Sequence, residues 1–176
     1  MNSLAPTVRL REQDRETLVS HLSSLDAEDR RLRFGTPIAD SAIREYVARI
    51  DFERDGMFAV RDRGLRPVAV AHAATMGRNA ELGLSVLPGW RGKGNGNALL
   101  QRAVTWLRNR GILSVHVHCI AENAAMMHLA RSNGMRIVHS GAETDGRLEL
   151  DAPNPRSRMA EWIEDLRAMR PGARAP

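Results

Sequence analysis

The chain has very little cysteine and very little lysine, with one residue of each. A single cysteine, Cys119, cannot form an intrachain disulfide, which is typical of a protein in a reducing compartment. No stretch stays apolar for long enough to span a bilayer, and no apolar signal-peptide core lies near Met1. We therefore expect a cytoplasmic protein without a membrane partner.

Aromatic residues are scarce as well, at 4% of the chain. Lys93 is the only lysine, and the net charge of +5 comes from arginines that are spread among Asp and Glu rather than collected in a stripe. Nucleic-acid binding combines basic stripes with stacking aromatics, so a nucleic-acid partner is not expected. The 176 residues, 43% of them hydrophobic, suit one domain with a substantial core, and we assign residues 1–176 to it.

Hydrophobic periodicity predicts an α/β chain. Its elements run in the order strand, helices, a meander of strands, helix, strand, helix, hairpin and a final helix. Ser24 is the expected N-cap of the second helix, and Asp40 or Ser41 that of the third. Asp145-Gly146 suits the turn of the hairpin.

The final helix is expected to begin with Asn154 as its cap and Pro155 at its first position. Its apolar residues recur at helical spacing and must cover either their own domain or a second subunit, so a homodimer is a possible assembly. These residues are Met159, Trp162, Ile163, Leu166 and Met169.

The stretch 91–96, Arg-Gly-Lys-Gly-Asn-Gly, follows a predicted strand over 80–86 and opens a helix that ends near Arg110. Glycines at alternate positions let the backbone bend so that successive N–H groups point at one spot, and the helix start adds its own N–H groups. Arg91 and Lys93 add positive charge. We therefore predict that this loop binds a pyrophosphate.

Three ligand-binding designs compete for this loop, besides a plain strand-to-helix turn. A Walker A loop requires Ser or Thr after Gly-Lys, and Gly94 stands there instead. A Rossmann loop requires Gly-x-Gly-x-x-Gly close behind its strand, whereas residues 87–91 intervene here; Glu122 keeps this alternative open as a ribose-binding acid. The third design, Arg/Gln-x-x-Gly-x-Gly/Ala, fits residues 91–96.

This third pattern resembles the acetyl-CoA signature of the GNAT superfamily of N-acetyltransferases, as does the Val-x-Pro at residues 86–88. A second stretch, from Asn123 to Gly134-Met135, resembles another GNAT signature, in which the Asn helps to hold the pantetheine arm; a plain helix N-cap is the alternative. The resemblance implies acetyl-CoA as co-substrate and a set of residues that bind it: Leu84, Ser85, Val86, Arg91, Gly92, Lys93, Gly94, Asn95, Gly96, Asn97 and Asn123.

The resemblance also implies a fold. GNAT proteins have a central mixed, mostly antiparallel sheet flanked by helices. The likeness covers about residues 8–150 and leaves residues 154–170 as an extra C-terminal helix. Further likeness to the bacterial Pat-like protein-lysine acetyltransferases lies in Arg33-Phe34, Ile50-Asp51 and single residues including Ser24, Met57, Met126 and Leu129.

The activity implied is direct acetyl transfer from acetyl-CoA to a primary amine, of a protein lysine or of a small molecule, in a ternary complex. By resemblance Glu81 is the general base and the Val86 N–H stabilises the oxyanion. Glu81 lies in an apolar run, so we expect burial to raise its pKa towards a useful value. His116 and His118 share a strand face and are expected to border the substrate cleft. No third ligand stands near them, so no metal is expected.

Two departures from the family pattern stand out. Ala130 occupies the place where many members carry a tyrosine that protonates the CoA thiolate, and Asn95 replaces a usual aliphatic residue and is expected to loosen packing under the loop. Tyr46, the only tyrosine, lies elsewhere, so Tyr46→Phe should change turnover less than about threefold. A non-catalytic CoA-binding sensor is therefore the alternative function.

Overall fold

The structure, a computed structural model, describes residues 6–169. These residues form seven strands and six α-helices. In chain order they are β1 (Val8–Arg9), α1 (Arg15–Ser23), α2 (Ala27–Phe34), α3 (Asp40–Ala48), β2 (Gly56–Arg61), β3 (Pro67–Met76), β4 (Asn79–Val86), α4 (Asn95–Asn109), β5 (Ser114–Ile120), α5 (Ala124–Ser132), β6 (Arg136–Ser140), β7 (Glu143–Glu149) and α6 (Pro155–Met169).

The strands form one sheet in the order β1-β2-β3-β4-β5-β7-β6. All neighbours are antiparallel except β4 and β5, which are parallel. This arrangement confirms the predicted fold class, a mixed and mostly antiparallel sheet flanked by helices. Parallel pairing of β4 and β5 requires a crossover connection between them, and α4 supplies it.

Each face of the sheet carries its own core. Phe58, Ala71 and Leu82 lie on one face and pack beneath α4 and α5. Met57 and Val70 lie on the other face and pack with α1 and α3. Because side chains alternate along a strand, this division also fixes which residues of β4 face which helices.

Strands β4 and β5 form a fork. They pair only from Asn79 with Ser114 to Glu81 with His116, and no pairing follows towards Val86 and Ile120. The Leu87 N–H donates to the Val68 carbonyl of β3. Because backbone groups alternate in direction along a strand, the N–H and C=O groups of Leu84 and Val86 face the open side of the fork.

Two predicted helix caps are wrong. The Asp26 carboxylate, not Ser24, caps α2 by accepting from the Asp29 N–H, while the Ser24 hydroxyl donates to the His21 carbonyl. Helix α3 begins after Ala39 without a side-chain cap, so neither Asp40 nor Ser41 serves. Several Ser and Asp residues stand near each helix start, and tertiary contacts choose among them.

The predicted hairpin turn is also wrong. Asp145 and Gly146 lie inside β7, and the chain turns at residues 141–142, where Gly141 has φ +63°. A Cβ at Gly146 would lie 3.4 Å from Ile137, so packing accounts for this glycine. The motif signals a turn only where both residues can take positive φ, and Gly146 does not.

Helix α6 packs against α4 with its polar side. Arg102 of α4 is 1% exposed and pairs with Asp165 and Glu164, and Asn109 bonds to Glu161. Asn154 caps α6 as predicted, by accepting from the Ser157 N–H. The apolar stripe from Met159 to Met169 is exposed, so it does not cover the described part of its own domain. The predicted last residue of this extension, Arg170, lies outside the described residues.

The buried imidazole of His21 ties α1 to the sheet. Its Nδ1 lies 2.9 Å from the Pro67 carbonyl oxygen and its Nε2 lies 2.9 Å from the Ser85 hydroxyl. A carbonyl only accepts, so Nδ1 carries the hydrogen and Nε2 accepts from Ser85. Burial lowers the pKa of His21 to about 4.

This shift predicts a loss of stability in acid. Between about pH 6.5 and 4 the unfolded chain binds a proton on His21 that the folded chain does not, so stability falls as pH falls, by about 3 kcal/mol from this group. Chemical denaturation of the wild type and His21→Gln at several pH values tests this. The variant should lose less stability over that range; equal pH dependence of the two proteins would contradict the assignment.

Candidate active site

A cavity of about 700 Å³ lies beside the unpaired end of β4, which forms one side of the fork. Helix α2 lies over it, and the loop before α4 and the start of α5 complete its wall. Of the residues predicted to bind acetyl-CoA, all but Lys93 line this cavity; they are Leu84, Ser85, Val86, Arg91, Gly92, Gly94, Asn95, Gly96, Asn97 and Asn123. Lys93 lies 5.0 Å over the Trp90 ring.

The glycine loop has the backbone that its sequence predicts. Gly92 and Gly94 have φ values of +71° and +80°, and Gly94 is the N-cap of α4. No neighbouring atom lies within 4 Å of a Cβ built at either position, so backbone conformation rather than space requires glycine there. No side chain caps α4. Its first N–H groups are therefore available to an anion.

Arg91 ties this loop to the neighbouring elements. Its guanidinium pairs with the Asp29 carboxylate of α2 and donates to the Val86 carbonyl at 3.0 Å. The positive charge predicted for Arg91 is thus matched by a buried carboxylate. Arg91 thereby links the glycine loop to α2 in the wall of the cavity.

Asn95 does not loosen the loop, contrary to the prediction. It is 2% exposed, and its amide donates to the Trp90 carbonyl at 2.8 Å. A buried amide that makes this bond is satisfied and fixes the entry to α4. An aliphatic side chain could fill the space, but it could not bind the turn.

Asn123 caps α5 and reaches α2 as well. Its Oδ1 accepts from the Met126 N–H at 3.0 Å, and its Nδ2 donates to the Leu32 carbonyl at 3.2 Å. The capping alternative is therefore confirmed. Contact with pantetheine stays a prediction.

Glu81 stands at the last paired position of the fork, directly opposite His116. Its side chain is exposed, so the burial that was expected to tune it is absent and that expectation is wrong. Alternation explains why: Ala80 and Leu82 point into the core, and Glu81 points to the other face. That face is open beyond the cover of α2, so a base there is accessible to an amine.

His116 and His118 lie on the same sheet face as Glu81, beside the fork as predicted. A bond to Asp145 at 2.7 Å raises the pKa of His118, and the charges of Asp145, Glu143 and Glu81 add to this effect. His116 lies 2.9 Å from the Ser114 hydroxyl. Within residues 6–169 no three His, Cys, Asp or Glu side chains are grouped as a metal site requires.

Sequence reasoning missed a polar chain that reaches the cavity wall. Arg33 lines the cavity and donates to the Tyr46 hydroxyl at 2.9 Å; that hydroxyl lies 2.6 Å from His72 Nδ1, and His72 Nε2 lies 3.3 Å from Asp55. Arg33-Phe34 was visible only as a likeness to one family branch. The register that sets His72 beside Gly83 could not be read from spacing.

One protein family matches most of the chain. The model of the acetyltransferase (GNAT) family matches residues 22–135, a stretch that contains the fork, the glycine loop and α5. The chain belongs to the GNAT family. This confirms the predicted family and the enzyme class, an acyltransferase.

Solved structures of other GNAT proteins share the fold. The GNAT domain of PAT from S. lividans superposes with a TM-score of 0.70 at 19% identity, covering 82% of this chain and 89% of that domain. Ribosomal-protein-alanine N-acetyltransferase from Brucella melitensis gives 0.63 at 17% identity, covering 82% and 99%. A GNAT-family acetyltransferase from Staphylococcus aureus gives 0.67 at 14%, covering 82% and 98%.

Two further comparisons are negative. No curated protein matches the chain. No helix among residues 6–169 is both long and apolar enough to cross a membrane.

Proposed function

We propose that this GNAT protein is an acetyl-CoA-dependent N-acetyltransferase that transfers the acetyl group directly to a primary amine of a protein lysine or a small molecule. One observation carries the proposal. The backbone of Leu84 and Val86 faces an open fork that leads to the uncapped start of α4. A thioester of an extended amide-bearing arm with a pyrophosphate at its far end fits these two features together.

Eight of the eleven predicted binding residues have a part in this proposal. The N–H groups after Gly92 and Gly94 bind the pyrophosphate, with Lys93 as an added charge. Leu84 and Val86 pair with the pantetheine amides as a neighbouring strand would. Ser85, Asn97 and Asn123 complete the wall of the cavity.

Glu81 is the proposed general base. An amine of the lysine type is mostly protonated at neutral pH and must lose a proton before its nitrogen attacks the thioester carbon. Glu81, at the last paired position of the fork, takes that proton directly or through water. The Val86 N–H donates to the oxyanion, and the C–S bond then breaks. No covalent enzyme intermediate is needed, and Cys119, which is buried among apolar residues, has no part in the step.

The departing thiolate has no tyrosine to protonate it, since Ala130 is 1% exposed in the core. A thiol with a pKa near 8.5 leaves well as the thiolate, and water can supply the proton. The same absence favours the alternative, a sensor that binds CoA without turnover. The accessible carboxylate of Glu81 favours catalysis.

A turnover assay separates the two functions. We expect acetyl-CoA and an amine panel of amino acids, polyamines and lysine peptides to give free CoA thiol and an acetylated amine in equal amounts, by thiol titration and mass spectrometry. Acetyl-CoA binding without acetylation of any amine would favour the sensor. We also propose a cytoplasmic location and a homodimer through the exposed stripe of α6.

A further inference from the structure

The Arg33 guanidinium occupies the place of a side chain on β4. A Cβ built at Gly83 would lie 2.2 Å from Arg33 Cζ, so only glycine leaves room for it. The Phe34 ring lies 4.8 Å from Cζ, and the Tyr46 ring lies 5.7 Å from it. Arg33 is thus held between the sheet and two aromatic rings, in the wall of the cavity.

The polar chain behind Arg33 fixes its orientation. The Asp55 carboxylate can only accept, so His72 Nε2 carries the hydrogen and Nδ1 accepts from the Tyr46 hydroxyl. The Tyr46 oxygen can then accept from Arg33. Burial, the Arg33 charge and the Arg54 charge together lower the pKa of His72, which keeps it neutral. Each of these three hydrogen bonds thus has one donor and one acceptor, and together they fix the Tyr46 side of the guanidinium.

The positive charge of Arg33 is not matched by a carboxylate. Among residues 6–169 no Asp or Glu oxygen lies within ion-pair distance of it. Asp55 lies at the far end of this row of hydrogen-bonded side chains and pairs with Arg54. A guanidinium that is fixed, unpaired and open to a cavity is a site for an anion.

This anion site is separate from the pyrophosphate site. Three residues of strand, about 10 Å, separate Gly83 from Val86, whose carbonyl accepts from Arg91 at the start of the glycine loop. Glu81 lies on the same strand face as Gly83, about 6.7 Å away in the other direction. Arg33 therefore stands beside the proposed base, at the closed end of the fork.

We propose that Arg33 binds a carboxylate of the acceptor, so that the acceptor is a free amino acid whose amine meets Glu81 while its carboxylate meets Arg33. The proposal rests on the proposed acetyltransferase function. The carboxylate of Glu81 and the guanidinium of Arg33 lie over the same face of β4. They match the amine and the carboxylate of an amino acid, respectively. A polyamine or a lysine peptide offers Arg33 no such partner. Tyr46, His72 and Asp55 are positioning residues that act through Arg33.

Amino acids and their carboxamides make a direct test, because each pair differs only in the carboxylate. Steady-state kinetics with the twenty amino acids and matching amides should give kcat/KM at least about 100-fold higher for one or more acids than for their amides. Arg33→Gln should raise KM for the acid until the acid and its amide are used about equally. Arg33→Lys, which keeps the charge without the fork, should be intermediate.

Tyr46→Phe is the second variant, and it leaves the guanidinium in place. Losing the bond that orients Arg33 should raise KM for the acid by about fivefold, with kcat within about threefold and no change for the amide. Arg44→Gln is the control on the neighbouring helix α3. It removes an equal charge from a side chain that is 64% exposed, and KM and kcat should stay unchanged for both the acid and the amide. Thermal unfolding of each variant checks that it folds.

Equal kcat/KM values of the wild type for acids and amides would overturn the inference. It would also be overturned if Arg33→Gln lowered kcat/KM equally for acids and amides. Acetylation of polyamines or lysine peptides alone would also overturn it, while the acetyltransferase function would stand. If calorimetry shows no acetyl-CoA binding by the wild type, the proposed function fails, and this inference fails with it.

Discussion

Glu81→Gln is expected to lower turnover by roughly 10²–10⁴-fold and to leave acetyl-CoA affinity nearly unchanged. Glutamine keeps the shape of the side chain but cannot take a proton from the amine. Glu81 lies outside the cavity wall and at the closed end of the fork, so binding of the thioester arm should not depend on it. Steady-state kinetics and calorimetric titration of acetyl-CoA measure the two quantities separately.

Glu143→Gln is the matched control. Glu143 is also exposed, and its carboxylate lies 3.6 Å from His118 on the same open face, but it is on β7, one strand beyond the fork, and it is not on β4. We expect its turnover to stay within about threefold of the wild type. If Glu81→Gln retained full turnover, or if both variants lost the same amount, Glu81 would not be the base.

Gly94→Val is expected to weaken acetyl-CoA binding by at least tenfold. Gly94 has φ +80°, and a β-branched residue there costs on the order of 1–3 kcal/mol or shifts the backbone out of this conformation. A shift at the N-cap turns the first N–H groups of α4 away from the pyrophosphate. The effect should appear in Kd from calorimetry, more than in the fold.

Gly77→Val is the control that separates the effect of backbone strain on stability from the effect of the glycine loop on acetyl-CoA binding. Gly77 has φ +61° in the β3–β4 turn, and like Gly94 it has no atom within 4 Å of a built Cβ. Both variants should therefore lose similar stability, and only Gly94→Val should lose affinity. Wild-type affinity in Gly94→Val would remove the loop from the pyrophosphate site.

Features coded by nearby residues could be read from the sequence. The glycine loop was predictable because a strand, alternating glycines and a helix start follow one another within about twenty residues. The caps at Asn123 and Asn154 are local in the same way. The α/β class followed from the order of such elements, and the family resemblance implied the type of sheet. The family match confirms the resemblance that the loop carries.

Features that depend on long-range packing could not be read. The contact of Arg33 with Gly83 joins α2 to β4, and the local sequence around either residue does not predict that contact. The exposure of Glu81 follows from which face of β4 meets α4, and an apolar run alone does not show this. The outward stripe of α6 arises because Arg102 holds the opposite face of the helix through Asp165 and Glu164.

Asp145-Gly146 shows the opposite error, in which a strong local signal was overridden. The dipeptide favours a two-residue turn, yet it lies within β7, where Asp145 bonds to His118 and a side chain at Gly146 would crowd Ile137. The turn lies instead at Gly141, four residues earlier. The pairing of β6 with β7 that follows from this turn buries Thr144 in the core. Burial thus outweighed turn propensity.

Thermal unfolding with and without acetyl-CoA, with NADH as the control, tests the central claim most directly. At about 100 times Kd, acetyl-CoA should add roughly 2.7 kcal/mol of stability, which for a chain of this size raises Tm by roughly 5–10 °C. NADH at the same concentration should leave Tm unchanged. No shift with acetyl-CoA, or a shift with NADH, would contradict the assignment of the glycine loop and the function built on it.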